Sequence, residues 1–228
     1  METIYTGVLT PAALADPNNT HAILIRLVGE DREVLEIGPA TGYMTRILVN
    51  EKNCRVTGFE LNAQAAAEAA PLLKHLIVGN LENPDDLARL DGRFDVILLA
   101  DVVEHLAEPS APLRTLRAHL RPEGRLIVSM PNVAHWSIRR ALLTGRWDLT
   151  DRGLMDRTHL RWYTLRTAIA LLESTGYRIL LRRSSYAFPG HWRLGIGPRL
   201  AVWAQARRMP TGWDELFAIQ HILVAVPA

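Results

Sequence analysis

The sequence predicts an α/β fold, a doubly wound and mostly parallel sheet covered by helices on both faces. Three observations carry this. Short apolar runs alternate with helix-like segments from residue 34 to residue 130, the pattern that crossover connections between parallel strands produce. The first strand runs into a glycine-containing loop that opens a helix, a junction at which such sheets hold ligands. At 228 residues the chain is long enough for one such domain with embellishments, and residues 1–228 are read as a single domain.

The elements follow in order. Asn18–Leu27 reads as an amphipathic helix with an Asn/Thr cluster to cap it and Gly29 to stop it. Strands are expected at Val34–Ile37, Val56–Phe59, Leu76–Val78, Phe94–Leu99 and Leu126–Met130, with helices near Tyr43–Asn50, Ala63–Leu72 and Ala111–Leu120 between them. A helix near Leu165–Thr175, ended by Gly176, precedes two further strands at about Tyr177–Arg182 and Phe217–Val226. Two stretches exceed what connections need, at about 135–165 and 184–215, and are expected to form an acceptor-side cap. Leu200–Met209 within the second reads as a helix suited to a lid, a homodimer contact or a membrane-surface element, and its tryptophans Trp192, Trp203 and Trp213 are expected in local core.

Composition narrows the class. Hydrophobic residues at 48% and charged residues at 22% are ordinary globular values, and no apolar run approaches a membrane span. The first residues lack the basic start and apolar stretch of a secretory signal, so a cytoplasmic protein is expected. Cys54 has no intramolecular partner and reads as a buried structural thiol. Charge is unevenly spread. Residues 1–134 carry 12 Lys+Arg against 18 Asp+Glu, whereas residues 135–228 carry 14 arginines against 6 acidic residues. That second balance points to an anionic partner. Nucleic acid is disfavoured, because the basic residues are not interleaved with stacking aromatics on one module.

Glu36-Ile-Gly38-Pro-Ala40-Thr-Gly42 is a loop whose glycines let the backbone turn sharply against a ligand, while the following helix presents free N–H groups. The next strand ends in Phe59-Glu60, where an acidic side chain can accept hydrogen bonds from both hydroxyls of a ribose. Together these features suit an adenosine-type cofactor. Ala40 stands where a dinucleotide loop keeps a second glycine against pyrophosphate, which weighs against NAD.

The order and spacing of Glu36–Gly42, Gly58-Phe-Glu60, Gly79-Asn-Leu-Glu82, Asp95–Leu106 and Leu120–Asn132 resemble the successive motifs of class I S-adenosylmethionine (SAM)-dependent methyltransferases. The likeness is strongest to the bacterial branch containing ubiquinone-biosynthesis-type O-methyltransferases and sugar or natural-product methyltransferases, and Gly153–Thr164 also looks like that branch. The resemblance implies a Rossmann-like, seven-stranded sheet with an antiparallel last strand. It implies S-adenosyl-L-methionine as cofactor, its methionine portion wrapped by Gly38, Ala40 and Gly42, its amino group met by Glu36 and its ribose by Glu60 with Leu61 adjacent. Asn80 and Leu81 take the adenine position, where the family often has Asp, and Asp101 lies where the chain passes the sulfonium.

The expected activity is transfer of a methyl group to a small-molecule acceptor, at an oxygen of an anionic or sugar-like metabolite. SAM is already activated, so positioning supplies most of the catalysis and a base is needed only for a protonated acceptor. The candidates are His159 with Asp156, then His105 beside Glu104, and His135. Asp156 and His159 stand three apart and meet if the segment makes a helical turn. No metal is expected: Asp101 and Asn132 lack an obvious third partner, and one cysteine excludes a zinc-type Cys/His set. Two rival readings are a non-catalytic SAM-binding regulatory protein and an NAD-dependent oxidoreductase, the latter lacking a Tyr-x-x-x-Lys pair.

Overall fold

The computed structural model describes residues 8–188, 200, 203 and 211–228. Its helices are α1 (Pro11–Ala15), α2 (Thr20–Val28), α3 (Tyr43–Asn50), α4 (Ala63–Ala69), α5 (Pro84–Leu87), α6 (Ser110–Ala118), α7 (Trp136–Leu143), α8 (Leu165–Ser174) and α9 (Thr211–Phe217). Its strands are β1 (Glu33–Ile37), β2 (Arg55–Glu60), β3 (His75–Val78), β4 (Phe94–Ala100), β5 (Leu120–Pro131), β6 (Tyr177–Tyr186) and β7 (Ala218–Pro227). They form one seven-stranded sheet in the order β3-β2-β1-β4-β5-β7-β6. The pairs among β1–β5 are parallel, while β7 lies antiparallel between β5 and β6. The doubly wound, Rossmann-like sheet with an antiparallel last strand is therefore present, and the chain order reverses direction at β1, which lies between β2 and β4.

Each face of the sheet buries its own apolar layer. Val34, Val56, Val96, Leu98 and Ile127 pack against Ile23, Leu24 and Val28 of α2 and Met44 and Leu48 of α3. Leu35, Phe59, Ile97, Leu99 and Val128 pack on the other side against Leu113 and Leu116 of α6 and Leu172 of α8. Cys54 is buried in the first layer, as expected, and burial pushes its thiol up.

Local chemistry sets the helix ends. Asn19 caps α2 by accepting from the Ala22 N–H, Asn62 does the same for α4 from Ala65, and Thr164 closes a capping box with Thr167 at α8. The expected helix over Ala63–Leu72 is interrupted because Pro71 lacks an N–H, so its last turn, Ala70–Leu72, is a 3-10 turn. Leu120 belongs to β5 rather than to the preceding helix: it pairs with Phe94, and a bulge over the next residues restores register at Arg125 opposite Val96. Phe217 ends α9 instead of opening β7. The short α1 and α5, and α7 and α9 within the two long connections, carried too few periodic positions to be anticipated.

Of the tryptophans expected in local core, Trp213 is 56% exposed and Trp203 47% exposed, while Trp192 lies outside the described residues. Trp213 instead stacks on Phe217 with ring centroids 5.6 Å apart. Most of the expected 200–209 helix also lies outside the described residues. No helix among the described residues is long and apolar enough to cross a membrane.

Candidate active site

The turn after β1 is built from alternating left-handed residues: Gly38, Ala40 and Gly42 have φ of +69°, +50° and +79°. Only glycine takes this conformation without cost, so Ala40 is the strained member. Its N–H donates to Glu60 Oε2 at 2.9 Å, which ties the loop to the end of β2. Glu60 Oε1 accepts from the Asn62 N–H at 2.9 Å. A carboxylate has about four acceptor directions, so two remain for a ligand with vicinal hydroxyls. Leu61, next in the chain and 55% exposed, offers an apolar surface beside it.

Glu36 stands at the mouth of β1 with its carboxyl buried and Oε2 accepting from the Thr45 hydroxyl at 2.7 Å. Burial pushes its pKa up to about 7; the Thr45 bond lowers it and the charge of Glu60 raises it. Such a carboxyl is poised to ionise opposite a cation. These features fit the two ends of S-adenosylmethionine: an acid for the ammonium, an acid for the ribose, and a tight loop between them. Asn80 fits its expected part less well. It is exposed, and its Oδ1 already accepts from the Glu82 N–H at 2.9 Å, so the side-chain carbonyl is engaged in its own turn. Leu81, by contrast, is buried beneath it.

Asp101, one residue beyond β4, also adopts a left-handed conformation, with φ +55°. Ser129 of β5 donates to its Oδ1 at 2.6 Å and Gln220 of β7 to its Oδ2 at 3.1 Å. Strain at a non-glycine residue held by two neighbouring strands is the kind of local cost that functional sites retain. His21 of α2 faces the same space; burial lowers its pKa most, while Asp101 raises it. Its Nε2 lies 3.2 Å from the Tyr43 hydroxyl. Sequence reasoning missed Thr45 and Tyr43, whose side chains turn on the facing of α3, and Ser129, Gln220 and His21, which strand order and helix packing bring to this edge.

The histidine candidates separate into two groups. His135 stands apart from the other two. It caps α7, with Nδ1 2.8 Å from Ser137 Oγ and Nε2 3.1 Å from the Ala187 carbonyl, so both ring nitrogens are committed to structure. His105 and His159, 54 residues apart, meet edge to face with ring centroids 5.0 Å apart. His105 Nδ1 donates to the Thr158 carbonyl at 3.2 Å. The Leu160 and Arg161 N–H groups both donate to the Glu104 carbonyl, at 2.9 and 3.0 Å, and fasten the 135–165 connection onto the end of β4.

The expected Asp156–His159 pair takes a different form. The segment is an irregular turn, and Asp156 Oδ1 accepts from the Thr158 N–H at 2.9 Å and hydroxyl at 2.7 Å. Toward His159 it acts by charge, raising a pKa that burial and the neighbouring His105 lower. Glu104 is the outlier of the site. Its side chain is fully buried, neither carboxyl oxygen has a hydrogen-bond partner among the described residues, and burial, then the charges of Asp101 and Asp156, push its pKa well above the carboxylate range.

Comparisons with known proteins agree with this geometry. Residues 13–181 match the model of a family described as a methyltransferase domain. The ubiquinone biosynthesis O-methyltransferase of Cereibacter sphaeroides is 28% identical over 175 residues, covering 73% of this chain and 68% of that protein. Among solved structures, a SAM-dependent methyltransferase from Archaeoglobus fulgidus superposes with a TM-score of 0.64 at 17% identity, covering 90% and 91% of the two chains. The 1,6-didemethyltoxoflavin-N1-methyltransferase of Burkholderia thailandensis, solved with S-adenosylhomocysteine, gives 0.55 at 18% identity, covering 95% and 79%. The chain belongs to the methyltransferase-domain family, and is a class I, S-adenosylmethionine-dependent methyltransferase.

Proposed function

We propose that this chain methylates an oxygen of a small anionic or sugar-like acceptor, which enters between Asp101 and the Glu104–His105–His159 cluster. The observation that carries the reading is the meeting, at the C-terminal ends of β1, β2 and β4, of the left-handed loop, two buried glutamates and that cluster. When bound, SAM supplies an activated methyl group for in-line displacement. The protein positions and handles the proton. Gly38, Ala40 and Gly42 hold the methionine portion, Glu36 meets its ammonium, Glu60 holds both ribose hydroxyls, and Leu61 and Leu81 border the adenine.

Asp101 fixes the edge past which the acceptor approaches, and the cluster receives the acceptor hydroxyl and its proton. Residues 135–165 form one wall of the acceptor side within a single domain. The anionic preference rests on α7, where exposed Arg139, Arg140 and nearby Arg146 form no ion pair among the described residues. Their guanidinium groups suit a carboxylate or phosphate. The likeness to ubiquinone biosynthesis O-methyltransferases supports oxygen as the methylated atom.

Isothermal titration with SAM, S-adenosylhomocysteine and NAD, followed by mass-spectrometric screening of matched neutral and anionic acceptors, tests the proposal. Binding of NAD without SAM overturns it, and a clear preference for neutral acceptors removes the anionic part. Glu60→Ala is expected to weaken SAM binding by about 1–3 kcal/mol, since two ligand hydroxyls lose a charged acceptor; an unchanged dissociation constant takes Glu60 out of the site. His159→Ala and His159→Gln are expected to cut turnover roughly a hundredfold with SAM affinity unchanged. Parental rates for both between about pH 6 and 9 place the proton acceptor elsewhere.

A further inference from the structure

We propose that Glu104, His105 and His159 bind one divalent transition-metal ion, an inference that rests on the acceptor-side reading above and gives that cluster its occupant. Each residue offers one ligand atom, and the three atoms lie within 4.8 Å of one another. Nitrogen and oxygen ligands at about 2.0–2.2 Å from a tetrahedral ion stand roughly 3.3 Å apart, so small side-chain rotations close the set.

Two independent features point to a cation ligand. The first is Glu104, whose two carboxyl oxygens are buried without a hydrogen-bond partner among the described residues. A buried polar group left unpaired is costly, and more so when charged, so folded proteins seldom keep one without a use. Neither Glu104 nor Asp101 forms an ion pair with Lys or Arg among the described residues.

The second feature is the orientation of the His105 imidazole. His105 Nδ1 lies against the Thr158 carbonyl, which only accepts, so this nitrogen carries the proton and Nε2 keeps its lone pair. A backbone partner on the far nitrogen is how metal-ligating histidines are aimed and their tautomers fixed.

Two imidazoles and one carboxylate suit zinc and its first-row neighbours, whereas magnesium prefers an all-oxygen octahedron. Three protein ligands would leave a coordination position for an acceptor oxygen. The expectation of no metal rested on Asp101, Asn132 and the single cysteine; the cluster proposed here joins His105 to a residue 54 positions further on, a distance that spacing does not bridge. With an ion in place His159 acts as a ligand rather than as the base itself. Both versions give the same loss of turnover in its variants, so activity alone does not separate them.

Metal binding does separate them. Chelator-treated protein is titrated with cobalt(II) while visible d–d absorption is followed, and with zinc(II) followed by gel filtration and elemental analysis. One ion per chain is expected, with Glu104→Gln and His159→Gln each weakening cobalt binding by at least about tenfold and the exposed His75→Gln unchanged. A wild-type protein that takes up no ion and shows no d–d band overturns the inference, as does a band unaltered in both cluster variants. SAM titrations run on the same samples keep the readings apart: SAM binding without metal binding ends only the metal site, and metal binding without SAM binding ends the proposed function.

Discussion

Gly38→Val is expected to abolish SAM binding and to lower unfolding stability by about 2–3 kcal/mol, the combined scale of a strained left-handed residue and an overpacked contact. The position has φ +69°, which a β-branched residue adopts only at considerable cost. A Cβ built there stands 3.0 Å from Val102 Cγ2, so even the first added carbon is tight against the chain leaving β4. The backbone has little room to give way, because the Gly38 N–H is held by the Phe59 carbonyl at 2.8 Å. Either the loop stays and the two γ-methyls enter the space of the methionine portion, or it moves and Ala40 loses its bond to Glu60. Both outcomes remove the site. Gly38→Ala shares the φ penalty with one carbon instead of three, and is expected to retain weakened binding. Calorimetry and urea unfolding on the two variants read the effects separately, and normal affinity in Gly38→Val makes the loop merely structural.

How much of this was legible in the sequence depended on whether a feature is local. The strand of Val34–Ile37, the turn through Gly42 and the helix Tyr43–Asn50 follow one another directly, and the helix keeps its expected boundaries in the structure. Glu60 was legible for the same reason, since a strand end about twenty residues past the glycine loop is a fixed offset in a βαβ unit. For His135 the contact with Ser137 is local, but the one with the Ala187 carbonyl depends on where β6 ends and was not legible. The clamp on Asp101 by Ser129 and Gln220 required knowing that β7 inserts antiparallel beside β5. Glu104 was visible as a residue but not as a fully buried acid without partners, since burial at that turn is set by the returning 154–161 segment.

Glu36→Gln is expected to make the cofactor-free protein more stable at about pH 8, by up to roughly 3 kcal/mol, while weakening its hold on SAM. Burial chiefly pushes the carboxyl from the ordinary glutamate value of 4.5 up to about 7 in the folded chain. At about 1.4 kcal/mol per unit, the folded state favours the protonated acid by roughly 3 kcal/mol. That advantage is fully present below about pH 4.5, where the unfolded chain is protonated as well, and disappears as the pH rises through about 7, when the buried group must ionise. A neutral amide never ionises, and its oxygen can still accept from the Thr45 hydroxyl that now bonds Oε2 at 2.7 Å. Wild type and variant should therefore melt together near pH 4.5 and diverge upward of pH 7, with the variant higher by roughly 2–4 °C for each kcal/mol. Ligand reverses the ranking. A carboxylate opposite the ammonium of SAM is worth about 1.5–3 kcal/mol as a charged hydrogen bond, and the amide cannot supply that charge. The same residue thus costs stability in the empty protein and recovers it on binding, so saturating SAM should raise the melting temperature of the wild type more than that of the variant. Equal melting curves across this pH range would show that Glu36 is ionised and solvated, and equal SAM affinities would detach it from the ligand's ammonium.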